Sequence, residues 1–140
     1  MTAKKQVLLV DDDQDILDQL SLALKAEGYE VMMAQSRQES EEILMLRQPD
    51  LAIIDLMMEE LDSGFVLCHE IKKLYPDTPV IMLTAVTAVT GLDFHARSPE
   101  ARAWIQADAV LDKPVRFEQI REEVRRLLTP RATESTAAGL

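Results

Sequence analysis

Three consecutive carboxylates follow the first apolar run of the chain. Val7–Val10 is a run of aliphatic residues without polar alternation, which predicts a strand buried on both faces. Asp11, Asp12 and Asp13 come directly after it. Because neighbouring like charges repel, their joint ionisation favours a bound cation, and a hard, oxygen-seeking ion such as Mg²⁺ is the natural partner. The acids could instead cap a following helix, whose dipole favours negative charge. The trio alone leaves both interpretations open.

Further polar residues stand at the ends of later apolar runs. Asp55, Thr84 and Lys113 each close such a run or follow it within two residues. The carboxyl ends of parallel strands meet at one edge of a sheet, so we expect these groups to converge with Asp11 and Asp12. Acids, a hydroxyl and an ammonium together are typical of phosphoryl transfer. Asp55 is then placed as a carboxylate nucleophile that forms an aspartyl phosphate. Asp11 and Asp12 would hold Mg²⁺, and Lys113 and Thr84 would contact phosphoryl oxygens.

The elements that must position these residues alternate along the chain. Gly28 is predicted to end the first helix, and Ser36 with Glu39 forms a capping-box pattern that begins the second. In the third helix, the spacing turns Leu74 inward together with Val66, Leu67 and Ile71. Strands are expected at Val7–Val10, Glu30–Ala34, Leu51–Ile54, Val80–Leu83 and Ala109–Leu111, and the other helices at Asp13–Glu27, Phe65–Tyr75, Ser98–Gln106 and Arg116–Leu128. This alternation predicts a doubly wound, five-stranded parallel sheet with helices on both faces.

The bulk composition excludes several classes of function. The formal net charge of -10 argues against a nucleic-acid or anionic-membrane surface, because both need a basic patch. One cysteine, Cys68, excludes an internal disulfide, and its helical, apolar neighbourhood indicates a packed thiol. No stretch is apolar enough to span a bilayer or to act as a signal peptide. We expect a cytoplasmic protein without membrane or nucleic-acid partners.

The motifs at the strand ends resemble those of a known family, the receiver domain of two-component response regulators. The resemblance is carried by Val10–Asp13, by Pro49–Leu51 with Asp55–Met58, by Leu83–Ala85 and by Asp112–Pro114. It covers about Lys5 to Leu128 and implies an α/β, flavodoxin-like fold with strand order 2-1-3-4-5. It further implies a chain that catalyses only its own phosphorylation and dephosphorylation and is therefore not an enzyme for an external substrate.

The resemblance also implies a role for each site residue. Asp55 would be the phosphoacceptor, with a histidine kinase or a phosphotransfer protein as the donor. Asp12 and Asp55 would ligate Mg²⁺ directly, Asp11 would act mainly through water, and Met57 would contribute its backbone carbonyl. A cis peptide bond before Pro114 would aim the preceding lysine at the site. The new phosphoryl group would attract Thr84 and that lysine and thereby shift a distant surface.

The sequence departs from the usual family pattern in four places. Glu59 stands where members carry a proline, and Ser63 lengthens the following loop by one residue. Val110 replaces the aromatic residue whose rotation signals activation in many members, so that form of signalling is not expected. The segment Ala85–Ala107 is longer than in most members. We therefore hypothesise that the Ala85–Leu128 face is the surface that contacts a downstream protein.

Other interpretations follow from the same residues. A degenerate receiver would bind proteins without phosphorylation. The intact set of site residues argues against it, namely Asp11, Asp12, Asp55, Thr84 and Lys113. A small phosphatase of the haloacid-dehalogenase type also uses an aspartate nucleophile, but Asp15 occupies the position where its pattern wants Thr or Val. We expect a receiver domain over residues 1–128 and a disordered tail over 129–140, in a stand-alone receiver or one cut from a longer protein. A homodimer stays open.

Overall fold

A computed structural model describes residues 4–55, 63–84, 107–112 and 115–128. The strands are β1 (Gln6–Val10), β2 (Glu30–Ala34), β3 (Leu51–Asp55), β4 (Val80–Thr84) and β5 (Ala109–Asp112). The helices are α1 (Gln14–Ala26), α2 (Arg37–Leu46), α3 (Ser63–Leu74) and α4 (Phe117–Leu128). The predicted helix at Ser98–Gln106 and the predicted tail at 129–140 lie outside the described residues. Among the helices described, none is long and apolar enough to cross a membrane.

The five strands form one parallel sheet in the order β2-β1-β3-β4-β5. This confirms both the strand alternation predicted from the apolar runs and the strand order that the resemblance implied. β1 lies between β2 and β3, so that Val10 is in register with both Ala34 and Ile54. The carboxyl ends of these strands therefore meet at one edge, where the candidate site residues were predicted to converge.

Successive strand residues point to opposite faces of the sheet and pack into two separate hydrophobic cores, one on each face. Leu8 and Val10 point to the face covered by α2 and α3, whereas Val7 and Leu9 point to the face covered by α1 and α4. The α2–α3 face also buries Leu44, Ala52, Ile54, Leu67, Cys68, Ile71, Val80 and Met82. The α1–α4 face also buries Leu17, Leu24, Leu51, Ile53, Ile81, Leu83, Ile120 and Val124. The nearly unbroken aliphatic character of β1 and β3 follows from this burial on both faces.

The predicted helix boundaries have the expected local causes. Gly28 follows the end of α1 with φ +99°, a left-handed conformation that favours glycine. The Ser36 hydroxyl accepts a hydrogen bond from the Glu39 N–H at 3.1 Å, which caps α2. The Glu39 carboxylate accepts from the Gln35 N–H at 2.7 Å, one residue before the N–H that the usual capping box employs.

Helix α3 corrects two expectations. It begins at Ser63, two residues earlier than the apolar periodicity indicated, so that Ser63 and Gly64 belong to the helix and not to the preceding loop. Leu74 does not point inward, because it is 57% exposed as the last residue of the helix. The next residue, Tyr75, packs against the core instead, and its hydroxyl donates to the Leu44 carbonyl at 2.7 Å. The helical period therefore stops predicting burial where the helix ends.

A charged contact fixes the start of β5 against α3. Lys72 Nζ lies 2.7 Å from Asp108 Oδ2 and donates a second hydrogen bond to the Thr78 carbonyl at 2.9 Å. The same Asp108 oxygen accepts from the Val80 N–H at 2.7 Å, and the Asp108 N–H donates to the Val80 carbonyl at 2.8 Å. These contacts set the position of β5 beside β4.

Candidate functional site

The candidate site lies where the strand order reverses, between β1 and β3. In doubly wound sheets of this order, ligands bind outside the carboxyl ends of the strands at this switch point. Asp55 is the last residue of β3, and Asp11 directly follows β1. Both are buried, at 3% exposure each, whereas Asp12 is exposed. The Asp11 N–H donates to the carbonyl of Ala34 at 3.1 Å, which extends the pairing of β1 with β2 into the site.

Three carboxylates converge at this edge. One ligand oxygen from each of Asp11, Asp12 and Asp55 lies within 4.8 Å of the others. Mg²⁺ binds oxygen at about 2.1 Å, which places octahedral ligand oxygens roughly 2.9 to 4.2 Å apart. The set supplies the oxygen ligands that a hard divalent cation prefers, and its 4.8 Å limit lies close to this range. A cation would also offset the repulsion between two buried carboxylates and a third close by.

Asp13, the third acid of the sequence trio, has a different task. It is the N-cap of α1, and its carboxylate accepts from the N–H groups of Asp15 at 2.9 Å and Ile16 at 3.5 Å. The backbone N–H of Asp13 donates to Asp11 Oδ1 at 2.9 Å. The helix-capping interpretation of the trio is thus confirmed for Asp13, whereas Asp11 and Asp12 form, together with Asp55, a group that could hold a metal ion.

The remaining predicted site residues are placed only in part. Thr84 ends β4 in register with Asp112 of β5, so its backbone reaches the same edge of the sheet as Asp55. Met57 and Lys113 lie outside the described residues, as do Glu59 and most of the long segment after Thr84. Val110 lies in β5 and packs against the core of the α2–α3 face.

Two titratable groups on α3 lie away from this edge. Cys68 is fully buried, and burial raises its thiol pKa to about 12, as expected for a packed cysteine. Burial also raises the pKa of Glu70, and the neighbouring Glu41 carboxyl on α2 raises it further. The buried Oε1 of Glu70 has no hydrogen-bond partner among the described residues. The proximity of Glu70 to Glu41 could not be predicted from the sequence, because the two acids come from helices without a shared motif.

Fold and site together define a doubly wound α/β domain with an acidic, cation-competent cluster at its switch point. The family model named response regulator receiver domain matches residues 7–125 of this chain. The chain belongs to this family, whose members are the receiver domains of two-component signalling systems. This confirms the resemblance seen in the motifs.

Curated relatives of similar sequence include response regulators. The response regulator MprA of Mycolicibacterium vanbaalenii is 32% identical over 138 residues, which cover 96% of this chain and 54% of the relative. The transcriptional regulatory protein GlrR of Escherichia coli K12 is 42% identical over 111 residues, which cover 78% of this chain and 23% of the relative. The chain thus spans about half the length of these relatives or less.

Solved structures show the same architecture. A CheY-like receiver domain protein from Methanospirillum hungatei JF-1 matches with a TM-score of 0.75 and 29% identity, covering 90% of this chain and 94% of the other. The response regulator TrrA of Thermotoga maritima, solved in complex with Mg²⁺ and BeF, matches with a TM-score of 0.72 and 33% identity. That match covers 89% of this chain and 99% of TrrA.

Proposed function

We propose that this receiver domain accepts a phosphoryl group from a phosphohistidine onto Asp55 in a Mg²⁺-dependent reaction. The observation that carries the proposal is the position of Asp55. It lies at the switch point, is 3% exposed, and has carboxylate oxygens of Asp11 and Asp12 within 4.8 Å of its own. The family match and the Mg²⁺ complex of TrrA support the same assignment.

The acidic cluster would hold the cation. Asp12 and Asp55 are proposed as direct ligands, Asp11 as a ligand through water, and the Met57 carbonyl as the remaining protein ligand. When bound, Mg²⁺ supplies positive charge that neutralises these carboxylates and the phosphoryl oxygens. Burial of Asp11 and Asp55 strengthens this attraction, because the effective dielectric constant beside a buried carboxylate is lower than in water.

The protein residues then carry out an in-line displacement. A carboxylate oxygen of Asp55 forms a bond to phosphorus, and the P–N bond of the phosphohistidine breaks with its electron pair going to the imidazole nitrogen. The ammonium of Lys113 would contact a phosphoryl oxygen, and the Thr84 hydroxyl would donate a hydrogen bond to another. The product is an aspartyl phosphate on Asp55, so the domain acts on itself and turns over no external substrate.

Signalling would follow from the added charge. A phosphoryl group brings negative charge and strong acceptor oxygens to the end of β3, beside the end of β4. Movement of Thr84 and Lys113 toward it would alter the Ala85–Leu128 face, which we propose as the surface for a downstream protein. The donor is proposed to be a sensor histidine kinase or a phosphotransfer protein.

Intact-mass measurement tests the proposal directly. The protein is incubated with phosphoramidate, which presents a P–N bond like that of phosphohistidine, or with acetyl phosphate, each with and without Mg²⁺. We expect one phosphoryl group on the wild type only with Mg²⁺, and none on Asp55→Asn.

The matched control is Asp50→Asn, which lies just before the opposite end of β3. The Asp50 side chain accepts a hydrogen bond from the Gln6 N–H at 2.7 Å, and the variant should be phosphorylated normally. Equal phosphorylation of the wild type and Asp55→Asn would refute the assignment, and no gain with either donor would favour a degenerate module.

A further inference from the structure

Asp11 is held in place from two sides. Its backbone N–H is bound to the Ala34 carbonyl at 3.1 Å, which ties it to the sheet. Its Oδ1 accepts the N–H of Asp13 at 2.9 Å, which ties its side chain to the start of α1. The second bond restricts the side-chain torsions of Asp11, and a carboxylate whose orientation is fixed in advance binds a cation with less loss of conformational entropy.

The N–H of Asp13 is in turn fixed by the first turn of α1. The Asp13 carboxylate accepts from the N–H groups of Asp15 and Ile16, and its carbonyl accepts from the Leu17 N–H at 3.1 Å. Leu17 is 1% exposed and belongs to the core of the α1–α4 face. A continuous set of hydrogen bonds therefore runs from the core, through the helix cap, to the carboxylate of Asp11.

From this geometry we propose that Asp13 is a positioning residue for the Mg²⁺ site. Its carboxylate caps α1 and thereby holds the Asp13 N–H against Asp11 Oδ1, without ligating the cation itself. Within the described residues, the group that could hold an ion consists of Asp11, Asp12 and Asp55. The inference rests on the proposed function, since it concerns the same cation.

Substitutions at position 13 separate the cap from the charge. Asp13→Ser and Asp13→Ala remove the same negative charge, but serine still caps a helix whereas alanine does not. An N-cap typically contributes about 1 kcal/mol, which corresponds to about fivefold in an equilibrium constant. If loss of the cap lets the first turn open, the apparent affinity falls by the fraction of molecules in which Asp11 is correctly oriented.

The measurement is Mg²⁺ binding by isothermal titration calorimetry, with phosphorylation by acetyl phosphate as a second readout. We expect Asp13→Ala to bind Mg²⁺ more weakly than Asp13→Ser, by up to about fivefold, a limit reached when the first turn is mostly open without its cap. Its phosphorylation rate should be reduced at limiting Mg²⁺ and should recover at saturating Mg²⁺. A general loss of stability would not produce this recovery.

Ser36→Ala is the matched control, because it removes the N-cap of α2 and should leave Mg²⁺ affinity unchanged. Equal affinities of the serine and alanine variants would overturn the inference, and so would an equal loss in the control. A much larger loss common to both position-13 variants would mean that Asp13 is itself a ligand. If the wild type bound no Mg²⁺, the proposed function would fail together with this inference. Binding by the wild type with no difference between the two variants would refute the inference alone.

Discussion

Replacing Lys72 by Met should weaken the attachment of β5 to the rest of the sheet. Lys72 Nζ donates to Asp108 Oδ2 at 2.7 Å and to the Thr78 carbonyl at 2.9 Å. The same Asp108 oxygen accepts the Val80 N–H at 2.7 Å. Asp108 Oδ2, just before β5, therefore connects the last turn of α3 with the start of β4.

The exposure of the two side chains sets the size of the effect. Lys72 retains 19% and Asp108 35% of their side-chain exposure, so the pair is neither fully solvated nor fully buried. Hydrogen bonds to charged groups contribute roughly 1.5–3 kcal/mol when buried, and exposed ion pairs contribute about 0.2–1 kcal/mol. We expect a coupling free energy of about 1 to 1.5 kcal/mol between Lys72 and Asp108. Asp108→Ala should cost about 1 kcal/mol more than Asp108→Asn, because it also removes the acceptor of the Val80 N–H.

Urea denaturation of the wild type, Lys72→Met, Asp108→Asn and the double variant gives this coupling from a double-mutant cycle. The matched control is a second cycle on Arg37 and Glu41, an ion pair of 3.6 Å with 38% exposure of each side chain, which should yield no more than about 0.5 kcal/mol. Equal coupling free energies in the two cycles would contradict the prediction, because partial burial would then not strengthen the ion pair.

Two further predictions concern titratable groups on α3. Burial and the Glu41 carboxyl raise the pKa of Glu70, so the folded protein binds a proton at Glu70 more tightly than the unfolded chain does. The free energy of unfolding therefore decreases as the pH rises through the raised pKa. Glu70→Gln should thus be more stable than the wild type at pH 7.5 but not at pH 4.5 in urea denaturation, and an equal advantage at both pH values would contradict this. Cys68 is fully buried with a pKa of about 12, so at pH 8 we expect labelling by a thiol reagent at least about a thousandfold slower than in urea. Rapid labelling of the native protein would show that the thiol is accessible.

The pattern of apolar runs in the sequence was sufficient to predict the strands and the edge of the sheet at which the candidate site lies. The runs before Asp11 and Asp55 are aliphatic throughout, and burial on both faces of a parallel sheet demands such runs. A polar residue that ends a run of this kind also marks the end of the strand. Parallel strands bring those ends to one edge, which is why residues separated by more than forty positions could be predicted to meet.

Tertiary contacts decided what local pattern could not. The sequence predicted that an acid of the trio would cap a helix, but only the backbone path after β1 assigns that task to Asp13. The helical period predicted burial of Leu74, yet α3 ends there and the partly buried Tyr75 packs against the core instead. Lys72 and Asp108 stand 36 residues apart without a shared motif. Periodicity records which face of an element is apolar, whereas the partner of a polar side chain depends on how the elements pack.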